Sequence, residues 1–213
     1  MSSARWSLLR LAPRAAIFVT AIAEIASGDV AYGTFCLVAL GLTLIPAIHA
    51  RRLDAGVPLE IELVLLWFMV ADMTFGNLLG LYRVPYFDTA LHLSSSILVA
   101  LLGFLAIYVL HLTHSTRFHP WLDSIAILIV TLGIGALWEI AEYGVDQLMS
   151  RRTQGSPTLS ALDDTMVDLM MDGLGGVIGA VLGPLYIRYS RRSRIVVAAV
   201  SDLFDGRPHA ATQ

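Results

Sequence analysis

The sequence predicts an all-α fold, a polytopic helical membrane bundle of about six transmembrane helices with both termini in the cytoplasm. The chain of 213 residues is 56% hydrophobic and only 15% charged, whereas a soluble domain of this size is about one quarter charged. Its mean hydropathy is +0.71. Long apolar segments are joined by short polar links, which leave no room for a soluble domain.

The apolar segments each approach the length of roughly 17–25 residues that a helix needs to cross the hydrocarbon core. The first of them is short. We predict that residues 1–190 form a single transmembrane bundle and that residues 191–213 form a basic cytoplasmic tail. Residues 195–204 of that tail suit an interfacial amphipathic helix. The alternative is a positively charged cytoplasmic anchor with a disordered end at residues 206–213. The predicted segments are residues 15–27 with their flanks, 32–50, 59–82, 88–112, 122–149 and 164–189.

The first segment has features of both a signal peptide and a retained helix. Arg5, Arg10 and Arg14 precede it, and the Ala-Ile-Ala triplet at residues 21–23 resembles a cleavage site. Glu24 and the brief link to the next segment favour retention. We expect a retained helix, and cleavage stays open as the alternative.

Arginine supplies all 14 basic residues, and their distribution predicts the orientation. With the N-terminus inside, eleven arginines face the cytoplasm, and only Arg83, Arg151 and Arg152 face outward. Cytoplasmic loops of membrane proteins carry such an excess of positive charge. The net charge of −3 gives no reason to expect a nucleic-acid partner.

The fifth segment carries Glu139, Glu142 and Asp146 at positions i, i+3 and i+7. On a helix these carboxylates lie along one stripe. The residues before them are apolar enough to lie in lipid, where carboxylates are costly and usually mark a functional site. This stripe is therefore the centre of the functional prediction.

Two neighbouring segments carry partners at a similar depth. The fourth begins on the outer side with Asp88 and His92, one helical turn apart, and the sixth begins there with Asp164, Asp168 and Asp172. At 1.5 Å per residue, the inner members of these sets lie roughly 6–12 Å below the outer helix ends. The sequence therefore predicts that the three helices bring their acids together in the outer half of the membrane.

Clustered acids in a low-dielectric site cannot all stay ionised without compensation, so they hold protons or bind a cation. Carboxylates with an imidazole suit a divalent metal such as Mn, Fe or Zn, and an oxygen-only subset suits Mg or Ca. Proton-carrying acids without metal, and acids that only fix helix register, are the alternatives. Asp146 and Asp164 are the candidate catalytic acid or base, and the candidate metal ligands are His92, Glu139, Glu142, Asp168 and Asp172.

Some of these acids also have simpler interpretations. Asp164 and Asp88 stand near predicted helix starts, where a carboxylate can act as an N-cap. In the third segment, Asp72 near the middle of the membrane can join the cluster, mark a path to it or make a local hydrogen bond. Asn77 stands at a height from which it can orient a ligand.

Small residues in the last segment indicate close helix packing. Gly175, Gly179 and Gly183 repeat at every fourth residue, a pattern that lets transmembrane helices approach one another. We expect Gly133 and Gly135 to pack in the same way. Ser94, Ser95 and Ser96 can form hydrogen bonds between helices.

Several motifs of the sequence are distinctive, namely residues 60–77, Gly80-Leu81-Tyr82, the run from Pro85 to Asp88 with His92, residues 138–146, and Gln154-Gly155 followed by residues 162–168. Together they resemble the YjdF family of bacterial inner-membrane proteins. More remotely, the order Asp-x3-His, Glu, Gln, Asp ahead of a glycine-rich last helix is similar to VanZ-like proteins linked to glycopeptide resistance. The resemblance implies a membrane fold in the bacterial inner membrane, but no reaction, because the YjdF family has no settled activity.

Three functions fit these observations. The leading one is a metal-dependent enzyme that acts on a lipid or lipid-linked headgroup, because a site about 10 Å below the surface is within a headgroup's reach. The second is a transporter or channel for protons or divalent cations, and the third is a non-catalytic assembly protein. Beyond the lipid bilayer, the sequence leaves the partners, the oligomeric state and the presence of enzyme activity open.

Overall fold

The computed structural model describes residues 3–45, 59–113, 119–149, 153–155 and 158–189. These residues form six α-helices and no strand, which confirms the all-α prediction. The third helix continues as a π-helix, Ala71–Leu78, and a 3-10 turn follows at Leu81–Arg83. The helices are α1 Ser3–Ser27, α2 Val30–Leu42, α3 Leu59–Val70, α4 Phe87–Thr113, α5 Pro120–Met149 and α6 Ala161–Tyr189.

Four stretches of the described chain are long and apolar enough to cross a membrane, namely Ile61–Leu78, Phe87–His111, Trp121–Leu148 and Ala161–Leu185. α2 is a shorter apolar helix, so its predicted extension to residue 50 falls largely on residues outside the described part. The predicted tail, residues 191–213, also lies outside it. The protein is a multi-pass membrane protein, and its orientation stays a prediction.

The chain divides into two compact units, an N-terminal unit that extends to Val84 and a C-terminal unit that begins at Pro85. The prediction of one bundle over residues 1–190 stays a prediction. In the N-terminal unit, α1, α2 and the α3 segment bury an apolar core that includes Ile17, Cys36 and Met73. Cys36 is a free, buried thiol, as its apolar neighbours in sequence suggest.

Arginines of α1 neutralise a carboxylate of α3. Arg14 donates to Glu62 Oε1 at 2.7 Å and to Thr43, the residue that follows α2. Arg10 Nε lies 2.9 Å from Glu62 Oε2. These contacts join the first half of α1 and the first turn of α3 to the residue that follows α2.

In the C-terminal unit, α4 and α6 pack as a parallel pair along the predicted glycine ridge. A Cβ at Gly175 would lie 2.6 Å from Ser96 Cβ, and positions 179 and 183 face Ala100 and Phe104 in the same register. A side chain at these glycines would force the helices apart. The predicted ridge is therefore confirmed. It lets α4 and α6 pack closely, so the side chains in the first turns of the two helices lie near one another.

α5 runs antiparallel to α6, because Glu139 faces Thr165 while Leu128, farther back on α5, faces Gly176. Gly135 packs directly against the Asp172 side chain, as predicted for a packing glycine. The same prediction is wrong for Gly133, since a Cβ there would meet none of the described atoms within 4 Å. α5 therefore contributes the Glu139 carboxylate and, at Gly135, the space that the Asp172 side chain fills.

Candidate metal centre

The predicted polar residues of α4, α5 and α6 meet at one end of the C-terminal unit. The helical periods put Asp88 and His92 on one face of α4 and Asp168 and Asp172 on one face of α6. Glu139 completes the cluster from α5. His92, Glu139, Asp168 and Asp172 are 7%, 5%, 3% and 1% exposed, so the cluster lies in the protein interior rather than on its surface.

The imidazole of His92 has a different set of acids at each of its nitrogens. Nε2 lies 3.8 Å from Asp88 Oδ1 and 3.8 Å from Glu139 Oε1. Nδ1 lies 3.5 Å from Asp172 Oδ1. One ligand atom each from Asp88, His92 and Asp168 also falls within 4.8 Å of the others. Carboxylates from three helices therefore surround the His92 imidazole.

Two buried carboxylate oxygens at this point have no hydrogen bond from any residue that the structure describes. They are Glu139 Oε1 and Asp172 Oδ2. A buried acceptor without a donor costs about 1–3 kcal/mol, and more when it is charged. The residues that the structure describes therefore leave the acceptors of the cluster partly unsatisfied.

The second oxygen of Glu139, by contrast, is well bound. Thr165 Oγ1 donates to Glu139 Oε2 at 2.6 Å, and the Gln154 side-chain amide donates to the same oxygen at 3.4 Å. The Gln154 amide also donates to the Glu139 carbonyl and to Thr165 Oγ1. Only Oε1 is left to face His92.

Asp172 is held between α4 and α5. The Ser96 hydroxyl donates to Asp172 Oδ1, and Gly135 leaves the space that the carboxylate fills. Of the three predicted interhelical serines, Ser96 makes the bond, whereas Ser94 and Ser95 donate to carbonyl oxygens of their own helix. Asp172 therefore has a fixed position beside His92 Nδ1.

Of the other two acids of the predicted stripe, Asp146 binds the loop between α5 and α6, and Glu142 binds a side chain of its own helix. Asp146 accepts bonds from the Thr153 backbone and hydroxyl and from the Gln154 backbone. Glu142 Oε1 accepts from the indole N–H of Trp138 on its own helix. Of the three acids of the stripe, Glu139 therefore joins the cluster around His92, whereas the Glu142 and Asp146 carboxylates bind other residues.

The predicted capping roles of Asp164 and Asp88 are wrong. α6 begins after Ser160, whose hydroxyl oxygen accepts the Asp163 backbone N–H, so Ser160 is the N-cap. Asp164 lies in the first turn and accepts the Gly155 backbone N–H at 2.8 Å. Asp88 lies inside the first turn of α4, one residue after the helix begins at Phe87.

The remaining polar candidates belong to the N-terminal unit. Asp72 lies on the π-helix and accepts a 2.6 Å hydrogen bond from Tyr82 Oη. The Asn77 side chain donates to the Asp72 carbonyl at 3.4 Å. These contacts favour the local hydrogen-bonding interpretation of Asp72, one of the three that its sequence position allowed.

Residues 7–189 match a family of membrane proteins described as predicted membrane protein DUF2238. The chain belongs to this family. The DUF2238 chain is also similar to an uncharacterized protein of Thermotoga maritima, with 29% identity over 133 residues that cover 61% of this chain and 65% of that protein. It thus spans less than two thirds of that relative. No solved structure matches this chain. The match confirms the predicted membership of a membrane-protein family.

Sequence reasoning on this DUF2238 protein missed the roles of Gln154 and Thr165. Both stand in motifs that carry the family resemblance, yet neither is ionisable, so they gave no signal as site residues. Gly155, beside them, has φ +96°, a backbone conformation that glycine adopts without strain. The Gln154-Gly155 pair could have indicated that the loop adopts a specific turn near the cluster.

Proposed function

We propose that this protein is a bacterial inner-membrane protein that binds one divalent metal ion through Asp88, His92, Glu139 and Asp168. The observation that carries the proposal is the buried Glu139 Oε1, which faces His92 Nε2 at 3.8 Å without a hydrogen bond from the described residues. A cation between these atoms would satisfy the oxygen. Buried charges of this kind are paired or coordinate metals.

The spacing of the donor atoms supports an ion rather than direct bonds. Hydrogen bonds between nitrogen and oxygen span about 2.7–3.2 Å, and the 3.8 Å separations from His92 Nε2 to Asp88 and Glu139 exceed that range. Two ligands with bonds of about 2.1 Å to one ion can be at most about 4.2 Å apart. The separations from His92 Nε2 to Asp88 and Glu139 therefore suit atoms that share an ion. Asp168 is included because its ligand atom lies within 4.8 Å of those of Asp88 and His92.

In this proposal Asp172 orients His92 instead of binding the ion. Metal-binding histidines usually give their second ring N–H to a carboxylate, which fixes the tautomer and the ring. Asp172 Oδ1 lies 3.5 Å from Nδ1, away from the nitrogen that faces Asp88 and Glu139, and a small shift of the ring would bring the two atoms into hydrogen-bond distance. The Ser96 hydroxyl and the Gly135 gap keep the carboxylate in that place.

The donor set favours Mn, Fe or Zn, with Mg as the weaker candidate. One imidazole among carboxylates suits transition metals, while Mg prefers oxygen ligands with several waters. Three carboxylates and one histidine also leave negative charge after one divalent ion binds. A second cation, or protons on the acids, would balance it.

We further propose that the ion serves a reaction on a lipid or lipid-linked headgroup. The site lies within the first turns of α4 and α6, and Tyr86, Trp138 and Tyr143 are exposed at the same end of the unit. Exposed Tyr and Trp mark the interface where headgroups lie. A bound divalent metal there can activate water or polarise a phosphoryl oxygen. Asp146 and Asp164 hold the loop in this proposal and are not assigned as the acid or base.

Elemental analysis of detergent-purified protein tests the metal site. We expect about one ion per chain in the wild type, and binding weaker by at least about 10–100-fold in His92→Ala and Glu139→Gln. Asp123→Asn, at the far end of α5, is the matched carboxylate control and should bind normally. A wild type that takes up no Mn, Fe, Zn or Mg under any loading condition would end the proposal.

Proteoliposomes distinguish an enzyme from a transporter. Metal-loaded protein that releases headgroups from labelled phospholipid or lipid-linked substrate, and loses this activity in Glu139→Gln, supports the enzyme. Metal or proton flux across the vesicle, lost in the same variant, supports transport instead. Metal binding with neither activity would favour a structural role for the ion.

A further inference from the structure

The loop segment Thr153–Gln154–Gly155 is tied to both helices that flank it. Asp146 of α5 accepts the Thr153 N–H at 2.6 Å and the Gln154 N–H at 3.1 Å. Asp164 of α6 accepts the Gly155 N–H at 2.8 Å. Two carboxylates therefore fix three consecutive residues by their backbone, and such bonds to charged acceptors are stronger than neutral ones.

The side chain of the middle residue extends from this fixed backbone to the metal candidate Glu139. Its amide donates to the Glu139 carbonyl at 3.2 Å and to Thr165 Oγ1 at 3.1 Å, with a longer bond of 3.4 Å to Glu139 Oε2. Since Thr165 Oγ1 accepts from Gln154, its own proton is directed to Glu139 Oε2 at 2.6 Å. The hydrogen bonds run in one direction, from the loop to the carboxylate.

We infer that Gln154 and Thr165 are positioning residues that make Glu139 a one-oxygen ligand. This inference rests on the proposed metal site. With Oε2 occupied by two donors, Glu139 offers only Oε1 toward His92. A carboxylate that binds through one oxygen suits Mn, Fe or Zn, whereas Ca commonly uses both oxygens of a carboxylate and longer bonds of about 2.3–2.6 Å. The loop therefore selects against Ca.

Thr165 alone would not hold Glu139 in this way, so the loop residue Gln154 is also required. Glu139 lies on α5 with Thr165 opposite on α6, and a threonine hydroxyl alone is free to rotate to other acceptors. The Gln154 amide donates to one of the two lone pairs of this hydroxyl, which restricts the direction of its O–H. Outer hydrogen-bond partners of this kind affect metal affinity by about 10–100-fold.

Thr165→Val and Gln154→Leu test the inference, since each removes the donor and keeps the side-chain size. We would titrate Mn²⁺ and Ca²⁺ into the full chain in detergent by calorimetry. We expect Mn²⁺ affinity to fall about 10–100-fold in both variants, and the ratio of Ca²⁺ to Mn²⁺ affinity to rise at least about tenfold. Thr165→Ser, which keeps the hydroxyl, should restore the wild-type ratio.

The ratio of affinities does not depend on how much of a preparation is folded, so a partly unfolded variant still gives a decisive result. Equal losses for both ions, with an unchanged ratio, would show that the two side chains only support the fold and would overturn the inference. Wild-type affinities in both variants would overturn it as well, while leaving the metal site intact. A wild type that binds neither Mn²⁺ nor Ca²⁺ would overturn the inference, whereas the proposed site itself fails only if the wild type also takes up no Fe, Zn or Mg.

Discussion

Replacing Gly135 with alanine tests how tightly the candidate site is packed. A Cβ at this position would lie 2.6 Å from Asp172 Cγ and 3.1 Å from Asp172 Cβ. The carboxylate can move away only by leaving the Ser96 hydroxyl and His92. Gly133, two residues earlier on α5, would meet none of the described atoms within 4 Å after the same change. It is therefore the matched control.

The expected magnitude follows from two contributions. Alanine in a helix interior is favoured over glycine by about 1 kcal/mol, and this gain cancels when the two variants are compared. Adding an atom to a filled site costs about 1–3 kcal/mol. Because each 1.4 kcal/mol is a factor of ten in an equilibrium constant, the unfolding equilibrium constant of Gly135→Ala should be about 5- to 150-fold larger than that of Gly133→Ala.

Reversible unfolding in mixed detergent micelles, followed by circular dichroism, measures this difference. Metal titration of the same two preparations should show weaker binding in Gly135→Ala, because a displaced Asp172 no longer holds His92. Equal stability of the two variants would refute the reasoning. It would mean that Asp172 moves freely and does not fix the imidazole.

Two further predictions concern the N-terminal unit. Arg14→Met should destabilise it by about 1.5–3 kcal/mol, since Arg14 is 13% exposed and its bonds reach Glu62 and Thr43. Arg10→Met, with a side chain 42% exposed, should cost less than about 1 kcal/mol in the same denaturation assay, and equal costs would contradict the assignment. Tyr82→Phe removes the hydroxyl that donates to Asp72 and should cost about 1–3 kcal/mol, measured by thermal unfolding. An unchanged melting temperature would show that the bond contributes nothing.

The helices and the main partners of the site could be predicted from sequence because they follow local rules. Long apolar segments identify the spans, since the bilayer requires about twenty apolar residues per crossing. The i, i+4 spacing of Asp88 and His92, and of Asp168 and Asp172, puts each pair on one helical face. Alternating crossings then place the two pairs and Glu139 in one half of the membrane.

The roles within the cluster could not be predicted in this way. Glu139, Glu142 and Asp146 form one stripe with equal claims in the sequence, yet only Glu139 faces His92, while Asp146 binds the loop. Which acid turns inward depends on helix rotation, and that is set by close packing at Gly135 and Gly175. Gln154 stands fifteen residues from Glu139 and reaches it only because the loop folds back.

The sequence by itself determined that this is a helical membrane protein whose acids collect at one end of three helices. Hydrophobic length and helical period are properties of single segments, so they can be read without a partner. Only the tertiary structure decided which oxygen of Glu139 is bound, which nitrogen of His92 faces Asp172 and where Ser96 donates. These contacts form between helices that are far apart in the sequence. They depend on how the helices pack, and the sequence of a single segment does not specify that.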